Sequence, residues 1–265
     1  MSGFDKNWLA LREPVDMRAR AITLVDALSR HLGAVGQASI LDIGCGTGST
    51  WRSLTQRVPA GTHWTLLDYD PVLLAEAERR IDGKGHVSFR QFDLNEMQSL
   101  PLSDVTVVTA SALFDLCSAD FCNRFAETLA RNGTGLYAAL NYDGVMEWSS
   151  PHPLDAQVAA DFNRHQRFDK GFGPALGPDA TDHLRTSFET LGYSVSVGSS
   201  PWIMGPDDAA LQVAFLDGLE KPLTEIGSLT EQDIRTWMDF RLEKIAEAGS
   251  SCVVGHTDIL ALPRS

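Results

Sequence analysis

Three glycines at alternate positions, Gly44, Gly46 and Gly48 in LDIGCGTGS (41–49), carry the strongest chemical signal in the chain. Lacking a Cβ, they let the backbone turn tightly and let a ligand approach the main chain closely. Asp42 stands two positions ahead of the first glycine, and Asp68, in LLDYD, lies 20 positions beyond the third. After a strand–turn–helix unit, a carboxylate at that interval is placed to accept hydrogen bonds from ribose hydroxyls, so a nucleotide-like cofactor is expected. The dinucleotide fingerprint GxGxxG/A would put its third small residue at position 49, which is Ser49; the observed spacing is GxGxG. No GK[ST] run is present, which removes the phosphate loop of nucleoside triphosphatases.

The elements that must position these residues alternate along the first half of the chain. SILDIG (39–44), HWTLLD (63–68), VSFRQF (87–92), VTVVTA (105–110) and GLYAAL (135–140) read as buried strands. Helices are expected over 47–58, from Pro71 through PVLLAEAERRI, and over ADFCNRFAETLARN up to Gly133. Proline suits a first helical turn, where its missing N–H is not needed, and glycine suits the residue after the last turn. Strands alternating with helices predict a doubly wound α/β fold around a mostly parallel sheet. Beyond residue 142 the pattern breaks into two excursions, about 143–178 and 204–249, separated by a helix at 179–191 and a strand YSVSVG (193–198). The chain then ends on an apolar strand, CVVGHTDILAL.

LDIGCGTG followed by LLDYDP and FDLNEMQSLP resembles the class I S-adenosylmethionine-dependent methyltransferases, over roughly residues 38–142. The resemblance implies a seven-stranded sheet with an antiparallel last strand, and S-adenosylmethionine as cofactor. It implies that Asp42 to Gly48, with Gly44 and Gly46 at the turn, wrap the methionine part, and that Asp68 holds the ribose. It further implies that Asp93 meets the adenine amino group while Tyr69, Phe92 and Leu94 pack the ring. The expected organisation is one domain over 1–265, with an N-terminal cap at 1–37 and helical lid insertions at the two excursions.

Methyl transfer is an in-line displacement at a sulfonium methyl, and positioning supplies much of its catalysis. The substrate pocket of such a sheet opens at the carboxyl ends of its strands. Ser111 and Phe114 follow the fourth strand, Asn141 and Tyr142 the fifth, and Trp202 the sixth, while Trp148, His165 and Gln166 lie on the first excursion. Of these, Ser111 is assigned to the cofactor and Phe114, Asn141, Tyr142, Trp148, Gln166 and Trp202 to the substrate. His165 is the candidate base, because an imidazole titrates near neutral pH. His152 and His183 are weaker candidates, and His256, Trp51 and Trp237 read as structural. Arg12 is expected to meet the cofactor carboxylate if the N-terminal segment folds over it. No NPPY-type run, no Pro-Cys nucleophile and no Asp-Asn pair beside Asp115 and Asp143 is found, so amino-methylation of adenine, pyrimidine C5 chemistry and a metal are not expected.

The 265 residues carry a formal net charge of −13, which repels nucleic acid and anionic membranes. No apolar run approaches the roughly 20 residues of a membrane span. Cys45, Cys117, Cys122 and Cys252 show no CxxC spacing, which suits a reducing cytoplasm. The reading is therefore methyl transfer to oxygen or nitrogen of a small molecule. Its rivals are an NAD-dependent oxidoreductase, disfavoured by Ser49 and Asp93, and a cofactor-binding protein without transferase activity. The apolar helices of 204–249 suit a homodimer as readily as packing on the sheet.

Overall fold

The computed structural model describes residues 5–83 and 86–264. Helices α1 (Lys6–Ala19) and α2 (Ile22–Gly33) precede strand β1 (Ser39–Ile43) and helix α3 (Ser49–Leu54). Then come β2 (His63–Asp68), α4 (Pro71–Ile81), β3 (Val87–Gln91), β4 (Val107–Ser111), α5 (Ala119–Asn132) and β5 (Gly135–Trp148). Helices α6 (Asp155–Gln166) and α7 (Ala180–Thr190) lead to β6 (Ser194–Ser199) and β7 (Trp202–Met204). The chain finishes with α8 (Ala209–Ile226), α9 (Glu231–Ile245) and β8 (Cys252–Leu262).

Local chemistry sets several of these boundaries. Asp70 caps α4, its carboxylate accepting from Val72 N at 2.8 Å, with Pro71 in the first turn. Gly133 ends α5 at φ 64°. The sheet order is β3-β2-β1-β4-β5-β8-β6, and the pairs among β1 to β5 are all parallel. The last strand β8 runs antiparallel to both β5 and β6. Along its first residues β8 pairs instead with β7, an eighth strand beside the seven expected. Three residues after Pro201 are too few to show an alternation, so β7 exists only through its pairing with β8.

Side chains along each strand alternate between two layers. Leu41 and Ile43 join α5 and α7 in one core, whereas Ile40 joins α2, α3 and α4 in the other. A third core lies above the sheet and gathers Val15 of α1, Val158 of α6 and Trp237 of α9 with Leu216 and Leu219 of α8 and Trp202 of β7. The two excursions and the N-terminal helix therefore share one apolar centre. Helix α1 is pinned across it by ion pairs rather than by an apolar stripe. Glu13 accepts from Arg52 of α3 at 2.8 Å and from Arg80 of α4 at 3.0 Å, and Arg18 pairs with Asp208 just before α8.

Candidate active site

The turn after β1 holds Gly44, Gly46 and Gly48 at φ 58°, 55° and 82°, in the left-handed region that glycine enters without strain. A Cβ on Gly46 would stand 3.4 Å from Leu9 of α1, so the N-terminal helix roofs the turn. A Cβ on Gly44 would touch Leu113, beyond β4, at 3.6 Å. Asp68, ending β2, closes the turn from the side. Its Oδ2 accepts from Gly46 N at 2.7 Å and its Oδ1 from Asp70 N at 2.9 Å. Burial still raises the Asp68 carboxyl above its ordinary range, the two backbone bonds opposing it.

Beneath the turn, Asp42 is fully buried and accepts from Thr109 Oγ1 at 2.7 Å, while its Oδ2 has no partner. Burial pushes this carboxyl up to about 7. On the next strand Ser111 Oγ accepts from Arg20 Nη2 at 2.8 Å and lies 3.2 Å from Thr50 Oγ1. Arg20 is itself buried, and its Nε and Nη1 have no partner. Unmatched buried polar atoms cost folding free energy and mark places where a ligand can supply the missing bond. A glycine cradle under a roof, with an unmatched acceptor and an unmatched cation beside it, fits an amino-acid-bearing nucleoside such as S-adenosylmethionine.

The Asp93 carboxylate, directly after Phe92, caps the following 3-10 turn, accepting from Asn95 N at 2.9 Å. Phe92 and Leu94 turn into the first core rather than outward, because the turn they flank packs on α5. Tyr69 is the one of the three expected ring neighbours that stands exposed, at 53%.

Arg12, expected at the cofactor carboxylate, is buried against the Asp16 carboxylate of its own helix, donating from Nε to Oδ2 at 2.8 Å, and its guanidinium lies 5.1 Å from the centre of the Trp202 ring. Arg20, eight positions later and not singled out in the sequence, is the arginine that reaches Ser111. His165, the candidate base, faces α8. On α6 its neighbour Asn163 faces inward and accepts from Tyr142 Oη at 2.7 Å, and two positions along a helix turn the side chain by roughly 200°. His165 accordingly pairs with Glu225 of α8 at 2.8 Å and meets Lys170 Nζ at 3.3 Å. Trp148 belongs to a cluster at the far end of the third core, 4.5 Å from the Arg241 guanidinium and edge-on to Trp237. Phe114 is wholly buried against Phe125, and Gln166 packs against the turn at Gly177.

Asn141 and Tyr142 lie within β5, not after it, since the strand passes through a bulge and continues to Trp148. Asn141 donates to Thr257 O at 3.2 Å and leaves its Oδ1 unmatched. Tyr142 and Trp202 do come together, each beside the ring of His256, at 6.2 and 4.9 Å, and Trp8 of α1 lies 6.1 Å from Trp202. His256 bonds Val254 O through Nδ1, and burial, with the Arg12 charge second, lowers its imidazole to about 3. Asp115 stands nearby, buried, with Oδ1 unmatched and its carboxyl pushed up to about 6 by burial.

One more carboxylate organises the whole. Asp258, in the middle of β8 and fully buried, accepts from Tyr137 Oη at 2.8 Å, Leu140 N at 2.9 Å and Ala21 N at 3.0 Å. It holds Leu140 at φ 58° beside the bulge and anchors the start of α2. A single charge inside an otherwise apolar strand was the sequence signal for it. Among the described residues no group of three or more His, Cys, Asp or Glu is arranged to hold a metal ion, and no helix is long and apolar enough to cross a membrane.

The glycine turn and Asp68 thus stand together at the carboxyl ends of a doubly wound sheet, a place suited to a nucleoside-bearing cofactor. Residues 40–133 match the family described as "Methyltransferase domain". The matched stretch runs from β1 to the end of α5, the part of the chain that carries the glycine turn and Asp68. In structure it is similar to the YcgJ protein of Bacillus subtilis, with a TM-score of 0.52 and 13% identity over 92% of this chain and 100% of that one. It also matches a geranyl diphosphate methyltransferase solved with geranyl diphosphate and sinefungin, at TM-score 0.47 and 15% identity over 92% and 78% of the two chains. A phosphoethanolamine N-methyltransferase of Haemonchus contortus matches at TM-score 0.49 and 12% identity, covering 99% of this chain, which spans only 59% of that one. No curated protein matches the chain in sequence.

Proposed function

We propose that the chain transfers the methyl group of S-adenosylmethionine to the oxygen or nitrogen of a small molecule. The observation that carries the reading is the Gly46 N to Asp68 Oδ2 bond of 2.7 Å, which locks the glycine cradle and the ribose-type acid into one site. In this reading the cofactor supplies an electrophilic methyl on a good leaving group, and the residues position what meets it. Asp42, Gly44 and Gly46 hold the amino-acid end, with Ser111 and Arg20 at its carboxylate. Asp68 takes the ribose, and Asp93 and Tyr69 take the adenine. Tyr142 and Trp202 border the acceptor.

A small acceptor is supported by the roof. Ion pairs tie α1 to α3 and α4 through Glu13 and to the turn before α8 through Arg18, so the site is covered by a helix instead of lying in an open trough. The covering elements also exclude water, which a methyl donor requires. Four buried free thiols fit a reducing cytoplasm.

The test is calorimetric titration with S-adenosylhomocysteine, with NAD in parallel. Micromolar binding of the first alone is expected. Preference for NAD, or no binding of S-adenosylhomocysteine, would refute the proposal.

A further inference from the structure

Asp115 has no place in cofactor binding as described, yet it is the most conspicuous unmatched group above the sheet. It sits in the turn after β4, 8% exposed, with Oδ1 buried and without a partner. Among the described residues it makes no ion pair within 4.0 Å. Its electrostatic neighbours are Arg12 of the roof and Tyr142 of β5, so it lies between the roof and the sheet.

The charges around it do not cancel. Arg12 is already neutralised by Asp16 at 2.8 Å. His256 is held neutral by burial, with its Nδ1 committed to Val254 O. Asp143, half-buried beside Tyr142, adds a second carboxylate. The charge around Asp115 is therefore negative, and the third core on that side of the sheet contributes the rings of Tyr142 and Trp202 on either side of His256, with Trp8 beside Trp202. A buried lone carboxylate calls for a cation, and aromatic faces favour one. An anionic acceptor would face uncompensated repulsion there.

We propose that the methyl acceptor is an amine with an apolar body, its nitrogen held by the Asp115 carboxylate against Trp8, Trp202 and Tyr142. This rests on the methyl-transfer reading above. An ammonium entering the site gives one proton to the Asp115 carboxylate, freeing its lone pair. That pair forms the N–C bond as the C–S bond breaks and its electrons go to sulfur. The product leaves as a methylated ammonium beside neutral S-adenosylhomocysteine, and Asp115 returns its proton to water. A carboxyl poised near 6 can hold that proton in passing.

The probes are benzylamine, benzyl alcohol and benzoate, of one shape and three charges, titrated at pH 7 into the full chain saturated with S-adenosylhomocysteine. Benzylamine should bind at least about 10-fold more tightly than benzyl alcohol, and benzoate more weakly than both. Asp115→Asn should bring the amine to the level of the alcohol while leaving S-adenosylhomocysteine affinity within about 2-fold. Trp8→Leu, on the partly exposed roof, should weaken the amine several-fold and spare the alcohol. Equal binding of amine and alcohol, no measurable binding of the amine, or an amine preference that survives Asp115→Asn overturns the proposal. So does a selective loss of S-adenosylmethionine relative to S-adenosylhomocysteine in Asp115→Asn, which would assign the carboxylate to the sulfonium instead. Failure of S-adenosylhomocysteine to bind the unaltered chain would sink the methyl-transfer reading itself, a result distinct from all of these.

Discussion

Replacing Asp258 with alanine removes one carboxylate and orphans three donors at once. Tyr137 Oη, Leu140 N and Ala21 N lose partners at 2.8, 2.9 and 3.0 Å, and the buried Arg20 loses a balancing charge. Hydrogen bonds to charged groups contribute about 1.5–3 kcal/mol each, so the three together set a ceiling of about 5–9 kcal/mol. They share one acceptor and are not additive, and unpairing a buried charge costs about 3–5 kcal/mol in other proteins. A loss of about 4 kcal/mol is expected for Asp258→Ala, a large share of a typical total of about 5–15 kcal/mol. Urea unfolding at pH 7 reads it directly, and a melting temperature lower by roughly 10 °C should accompany it. Asp258→Asn, which keeps an acceptor oxygen but sets an amide against N–H donors, should fall between. A loss below about 1.5 kcal/mol in the alanine variant would show that the three bonds do not act as one anchor.

Three further outcomes follow from particular contacts. Gly46→Ala must hold a Cβ at φ 55°, costing about 1–2 kcal/mol, and should weaken S-adenosylhomocysteine at least about 10-fold by calorimetry; unchanged affinity would remove the turn from the site. Glu13→Gln breaks the tie to Arg52 and Arg80 and should cost about 1 kcal/mol, with faster proteolysis within 5–20; an unchanged cleavage rate would mean that other contacts hold the roof. His256 titrates near 3 in the fold against about 6.5 when unfolded, so the unfolded chain takes up the proton first as pH falls. Stability from this group is thus present above pH 6.5 and lost towards pH 3. Relative to His256→Asn, the unaltered chain should lose about 2–3 kcal/mol between pH 7 and 4.5, and parallel unfolding curves would count against it.

Local chemistry was legible in the sequence wherever a boundary depends on one or two residues. The helix start at Pro71, the stop at Gly133 and the glycine turn fall where their residue types place them. Features set by distant partners were not. The fifth strand reads as ending at residue 140, with Asn141 and Tyr142 after it and an excursion from 143, yet pairing of Met146 with Val254 carries β5 on to Trp148. Helix α1 has charges on every side, and only its partners on α3, α4 and the turn before α8 explain its place. For the site, the choice between Arg12 and Arg20, and the facing of His165, depended on helical phase relative to elements not yet placed. Asp115 has no Asp-Asn partner in the sequence, and only the fold buries it and brings the Arg12 charge to it.

The position of β8 has a consequence for how the chain matures. It is made after every other strand, yet it lies between β5 and β6, and its Asp258 supplies the acceptor on which α2 begins. As the polypeptide emerges, β1 to β5 can associate in order and Glu13 can already tie α1 to α3 and α4, but β6 and β7 have no strand to pair with and Ala21 N, at the start of α2, has no acceptor. The third core and the entry to α2 are therefore completed by the same eleven residues, Cys252–Leu262. A nascent chain stalled before them would carry the glycine turn under a roof that still lacks part of its apolar centre.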